Sequence, residues 1–157
     1  VRSEVQAKNT FYDLAFNLRP TEITGFLGLT QLKYLDWNCQ RRLENYLILE
    51  EKVQQNADLI PLDRSHLSVL SSFAFPVVCR SPKLRDHYLS EFAGAGVEVR
   101  PMIAGNMVRQ PFYRKYVRRA PALPGADFVH RCGFYFGNYP ELSPADLETL
   151  SSCLQKK

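Results

Sequence analysis

Arg100, Asn106, Arg109 and Gln110 fall in one short stretch, Arg100-Pro101-Met102-Ile103-Ala104-Gly105-Asn106-Met107-Val108-Arg109-Gln110-Pro111-Phe112-Tyr113. Two guanidiniums and two amides so close together are the donors that a polar or anionic ligand needs. Pro101 and Pro111 fix φ on either side and Gly105 opens backbone conformations closed to other residues, so the loop can be stiff without being regular. Loops of this chemistry on a rigid scaffold are common binding elements. A long surface connection with solvated arginines would use the same residue types. A second stretch, Phe16-Asn17-Leu18-Arg19-Pro20-Thr21-Glu22-Ile23, sets an amide and a guanidinium just before a helix start. Free backbone amides at such a start attract phosphate, although an ordinary capping segment reads the same way.

Little else in the chain carries chemistry of its own. The sequence has no nucleophile elbow, no phosphate-cradling glycine motif and no zinc spacing. His66, His87 and His130 are scattered, as are Cys39, Cys79, Cys132 and Cys153, which read as reduced thiols of a cytoplasmic protein. His130 precedes an aromatic run and can face a site, with a hydrogen-bonded structural histidine as the plainer reading. The formal charge of +4 comes from 20 basic residues spread along 157 positions, with a dense run only at 114–119. That run is too short for a nucleic-acid stripe and suits a solvated helix face or a phosphorylated small molecule. No stretch of about 18 apolar residues exists to span a membrane. The first residues lack the apolar core of a signal peptide, and the absence of an initiator methionine suggests a piece of something longer.

These residues need elements to hold them. Residues 1–19 carry no helical period and read as an extended arm anchored by Phe11, Tyr12, Leu14 and Phe16. Pro20 and Thr21 open a long amphipathic helix, bent or straight, that runs to about Gln55, with apolar positions at Phe26, Leu29, Leu32, Leu35, Leu43 and Leu47. Gly25 and Gly28 inside it cost helix propensity and mark close approach to another element. Residues 72–79 form a strand whose Pro76 puts it at an edge or bulge. Ser81-Pro82 caps a helix that Gly94 and Gly96 end, and residues 97–100 alternate as a short strand. A turn or two of helix follows Pro111, a short helix covers 126–131, and Phe134-Tyr135-Phe136 is a third strand. Ser143-Pro144-Ala145-Asp146 starts the last helix, with Leu147, Leu150 and Leu154 on one face. The expected fold class is α+β, a long N-terminal helix plus a small three-stranded sheet with helices. The expected divisions are an arm at 1–19, a connecting helix at 20–56 and a small domain at 57–157.

Asn17-Leu18-Arg19-Pro20-Thr21-Glu22-Ile23, followed by Gly25-Phe26-Leu27-Gly28-Leu29-Thr30-Gln31-Leu32, resembles a signature of the DegT/DnrJ/StrS family of pyridoxal-phosphate sugar aminotransferases and dehydratases. Ala15 stands where that family usually has glycine. The 100–113 loop and Gly133-Phe134-Tyr135-Phe136-Gly137-Asn138-Tyr139-Pro140-Glu141-Leu142-Ser143 resemble its lipopolysaccharide-biosynthesis subgroup, related to nucleotide-4-keto-6-deoxyhexose 3-dehydratases. The resemblance implies the small C-terminal domain of a fold-type-I pyridoxal-phosphate enzyme working as a homodimer. The large domain, with the lysine or histidine that separates transamination from loss of the sugar 3-hydroxyl, would lie upstream of Val1. Carried over by position, Asn17 would reach the cofactor phosphate of the neighbouring subunit, Arg19 would lie near it, and Arg100, Asn106, Arg109 and Gln110 would help enclose a nucleotide-linked keto-deoxy sugar. The parent would use pyridoxal or pyridoxamine phosphate, with none held by this chain alone, and no catalytic or metal-binding residue is assigned here. A binding or interaction module of the same shape, without catalysis, is the alternative from another class.

Overall fold

The computed structural model describes residues 10–16, 20–103 and 105–156. Helix α1, Glu22–Gln31, starts at Thr21, whose hydroxyl accepts the Thr24 N–H while the Thr24 hydroxyl accepts the Thr21 N–H. This reciprocal cap satisfies two donors that every helix start leaves open. A 3₁₀ turn at Leu32–Tyr34 then joins α1 to α2, Leu35–Gln55, so the long periodic run is one unit interrupted by a tighter turn and ending where its pattern ends. Helix α2 buries Asn45, Tyr46, Leu49, Glu50 and Val53, a stripe at helical spacing. Helix α1 buries nothing, and apart from the helix's own neighbouring backbone no described atom lies within 4 Å of a Cβ built at Gly25 or Gly28. The close approach that these glycines suggest is therefore absent among the described residues.

The remaining elements are β1 (Ala74–Val78), α3 (Pro82–Gly94), β2 (Val99–Pro101), a 3₁₀ turn at Met107–Arg109, α4 (Pro111–Tyr116), α5 (Pro124–Cys132), β3 (Gly133–Gly137) and α6 (Pro144–Leu154). The strands form an antiparallel sheet in the order β1-β3-β2. Pro76 is tolerated for a reason that the register shows. Cys79 N–H bonds to Cys132 O and Asn138 N–H to Phe73 O, so odd-numbered residues of β1 face the β3 backbone and Pro76, opposite Tyr135, does not.

Alternation then sorts the side chains. Phe75, Val77, Phe134 and Phe136 point to one face and join Tyr46, Leu49, Phe92, Leu150 and Leu154 in the core. Stacked and tilted rings link Tyr46, Phe75, Phe136 and Phe92 through centroid distances of 4.8 to 5.3 Å. Polar locks close the helices over this core. The buried Asn56 amide donates to Tyr88 OH and Leu154 O, both at 2.6 Å, which ties the end of α2 to α3 and α6. The buried Asn138 donates to Arg42 O and Ser72 O, fixing the exit of β3 to α2. No helix among the described residues is long and apolar enough to cross a membrane.

Candidate functional site

Helix α5 and the loop after β2 make one structure. Proline opens α5 at Pro124, and one turn of helix separates Asp127 from His130, so both face the same side. Asp127 accepts from Arg109 Nε at Oδ1 and from Arg109 Nη2 at Oδ2, the latter at 2.7 Å. Asn106 Nδ2 also donates to Asp127 Oδ1, at 2.5 Å. The Arg109 guanidinium, and after it the Asn106 amide, hold the Asp127 carboxyl well below the usual carboxylate range. Asn106 Oδ1 caps the 3₁₀ turn by accepting the Val108 N–H, and the Asn106 N–H donates to His130 Nδ1 at 3.2 Å.

Gly105 is required by this contact. Its φ is +55°, and a Cβ there would sit 1.9 Å from His130 Nδ1. Gln110 faces the other way. Its Oε1 accepts the Phe11 N–H at 3.0 Å, and the Phe112 N–H donates to Phe11 O at 3.1 Å, so the arm lies against the start of α4. Asp13 extends that contact by accepting from Lys115 and Tyr116, and these bonds, Lys115 first, lower its carboxyl to about 2.

Of the residues suggested by sequence, Asn106, Arg109 and Gln110 are brought together, but unequally. Asn106 and Gln110 are buried, with their amides engaged inside the chain, whereas the Arg109 side chain is 49% exposed. Arg100 stands apart. It projects from β2 opposite Tyr135, pairs with Glu98 at 3.0 Å, and borders a cleft of about 670 Å³ shared with Arg42, Tyr135 and Tyr139 but with no residue of the 102–113 segment. Asn17 and Arg19 lie outside the described residues. Asp127 is the site residue that sequence reasoning missed: eighteen positions from Arg109, it belongs to no local motif. His130 did carry a signal, its place just before an aromatic strand. No cluster of three or more His, Cys, Asp or Glu suited to a metal occurs among the described residues.

The exposed cation of the loop adjoins α4 and its exit, where Arg114, Lys115, Arg118 and Arg119 are all exposed. Such a surface attracts anions over several ångströms. Two helices joined by a 3₁₀ turn thus lead into a small antiparallel sheet, with an arginine loop braced on a side helix. The solved Escherichia coli GDP-4-keto-6-deoxy-D-mannose-3-dehydratase with bound hydrated PLP shares that fold at a TM-score of 0.75 and 23% identity, covering 99% of this chain and 41% of that one. Solved aminotransferases, among them the sugar aminotransferase CalS13 of Micromonospora echinospora, share it at TM-scores of 0.70 to 0.73 and 18 to 20% identity, covering 85 to 90% of this chain and 34 to 40% of theirs.

The chain belongs to the DegT/DnrJ/EryC1/StrS aminotransferase family, whose sequence model matches residues 2–155. It is 27% identical over 149 residues to the lipopolysaccharide biosynthesis protein RfbH of Salmonella typhimurium, covering 92% of this chain and 34% of that protein. It is 25% identical over 143 residues to the GDP-4-keto-6-deoxy-D-mannose 3-dehydratase of Yersinia pseudotuberculosis, covering 90% of this chain and 36% of that protein. The chain thus spans about a third of the length of the curated relatives it matches.

Proposed function

We propose that this chain is the substrate-side portion of a pyridoxal- or pyridoxamine-phosphate enzyme that removes the 3-hydroxyl of a nucleotide-linked 4-keto-6-deoxy sugar for surface polysaccharide assembly. The observation that carries the reading is the braced loop, which keeps neutral amides inside and presents the Arg109 guanidinium beside an exposed basic surface. A guanidinium fixed in orientation suits a diphosphate or a sugar oxygen. The names of the relatives, RfbH and a GDP-sugar 3-dehydratase, supply the substrate class.

In this reading Asn17 reaches the cofactor phosphate of a neighbouring subunit, Arg19 lies near it, and Arg109 contacts the nucleotide sugar. Asn106 and Gln110 shape the loop behind Arg109, and Arg100 contributes from the cleft beside β2. Residues 20–56 act as the connection to a large domain, and 57–157 as the small domain. In this reading the cofactor is held by the parent protein and not by this chain alone. When bound by the rest of the protein, that cofactor supplies an electron sink for carbanion chemistry. The work left to this chain is to bind, orient and enclose the sugar.

A homodimer fits the exposed side chains of α1, among them Ile23, Phe26 and Leu29, each about 70% exposed. Sedimentation showing only monomer at high concentration would count against it. A cytoplasmic location fits four cysteines that stand as free thiols, and would fall if cell fractionation found the protein outside the cytoplasm. The family's description as aminotransferases favours a second reading, transfer of an amino group to the same kind of sugar. Mass spectrometry after incubating the protein that carries this chain with pyridoxamine phosphate and a GDP-4-keto-6-deoxyhexose separates the two. Loss of the 3-hydroxyl supports the first reading and an amino sugar the second. An unchanged sugar sinks both.

A further inference from the structure

We infer that Asp127 is a positioning residue that sets the ligand-facing surface of the 102–110 loop and thereby selects for an anionic nucleotide-linked sugar, an inference that rests on reading Arg109 as a ligand contact. The geometry is economical. A single carboxylate on α5 takes Nε and Nη2 of Arg109 together with Nδ2 of Asn106, gripping the loop at two residues one 3₁₀ turn apart.

A two-pronged grip fixes the plane of a guanidinium as well as its place. Asp127 uses two of the five N–H groups of Arg109, leaving three on the edges turned away from the carboxylate. Those edges belong to a side chain that is half exposed, while Asp127 behind it is 24% exposed. The direction in which Arg109 offers hydrogen bonds is thus decided from α5.

The clamp contributes nothing to the hydrophobic core. Asp127 and Arg109 lie at the edge of the fold, 24% and 49% exposed, and not among the buried side chains of β1 and β3. An arginine needed only for its charge would attract anions better without a carboxylate against it. Holding it by one sacrifices raw charge for direction, which suits discrimination among similar sugar nucleotides. His130 adds a second hold from the same helix face by accepting the Asn106 N–H, so the loop is tied to α5 at two side chains.

The test uses Asp127→Asn, which keeps shape and removes charge, with Asp127→Glu as rescue and Arg109→Ala as control. In the chain itself, hydrogen exchange at the backbone amides of Asn106, Val108, Arg109 and Gln110 is expected to rise about tenfold in Asp127→Asn, with the β3 amides unchanged. In the protein that carries this chain, KM for the nucleotide sugar is expected to rise about tenfold with kcat within about threefold, and Asp127→Glu to recover part of the loss. If Asp127→Asn leaves loop exchange unchanged, the clamp does not hold the loop and the proposal fails. If Arg109→Ala raises KM and Asp127→Asn does not, Asp127 has no positioning role although the site reading stands. An unchanged KM in Arg109→Ala removes the site reading, and the proposal with it.

Discussion

Replacing Gly105 with alanine should loosen the 102–110 loop by an amount that can be worked out atom by atom. Two costs combine. At φ +55° a residue with a Cβ is disfavoured by about 1–2 kcal/mol. The new Cβ would also stand 1.9 Å from His130 Nδ1, 2.9 Å from Cε1 and 3.0 Å from Cγ, so the imidazole must leave its place. Its departure removes the hydrogen bond from the Asn106 N–H, worth about 1 kcal/mol net. The sum, about 2–3 kcal/mol, falls on the loop because the sheet core makes no use of either residue. At 1.4 kcal/mol per tenfold, native-state exchange at the amides of residues 106–110 should rise about 30- to 150-fold. A double variant isolates the collision. In Gly105→Ala/His130→Ala the ring is gone, so the strain and the lost Asn106 bond remain without the collision, and the double should be no worse than Gly105→Ala alone. Strictly additive effects, or a rise in exchange below about threefold in Gly105→Ala, would refute the assignment of Gly105 to the His130 contact.

Two further outcomes follow from the core. Asn56→Ala should lower stability by about 2–4 kcal/mol, because it removes donors to Tyr88 OH and Leu154 O and the acceptor for the Asp58 N–H in a buried place. The corresponding fall in Tm is on the order of 10 °C, and a fall under about 3 °C would mean that the junction of α2, α3 and α6 does not depend on it. Burial pushes the Cys79 thiol up to about 12, so at pH 8 iodoacetamide should label the partly exposed Cys39 first and reach Cys79 only in denaturant. Peptide mass spectrometry checks this, and comparable native labelling of the two would contradict the packing described for β1.

What was legible in the sequence was local. Ser81 before Pro82 and Ser143 before Pro144 gave helix starts because a cap is formed by residues three apart, and both hydroxyls accept the expected N–H. Pro76 gave an edge or a bulge because its missing donor forbids two-sided pairing, and the strand lies at the edge. The 3₁₀ turn at Leu32–Tyr34 left no clear trace, since so short a segment hardly disturbs the apolar period. Contacts across long separations were not legible. Nothing near Phe11 or Asp13 shows that they meet Gln110 and Lys115, roughly a hundred positions away. Nor does an amide betray its surroundings: Asn106 and Gln110 read as ligand donors because the residue type is the same whether the partner is a sugar or the fold.

The division of labour in the loop follows from what burial costs. An amide can be taken out of water at little cost if its nitrogen and its oxygen each find a partner, whereas a guanidinium carries a charge whose desolvation a single carboxylate only partly offsets. Asn106, at 1% exposure, meets the first condition through Asp127 and Val108, and Gln110 accepts from Phe11. Arg109 meets neither in full and stays half out. Neutral groups therefore fix the shape of the loop, and charge is left where a ligand can reach it. On that account an Arg109→Lys exchange should retain the positive surface and lose the aim, because an ammonium cannot make the two-pronged bond that orients the guanidinium on Asp127. Anion attraction would persist while discrimination among sugar nucleotides fell, a separation that salt-dependent binding and competition between two GDP-sugars measure directly. Equal loss of both would show that Arg109 acts by charge alone.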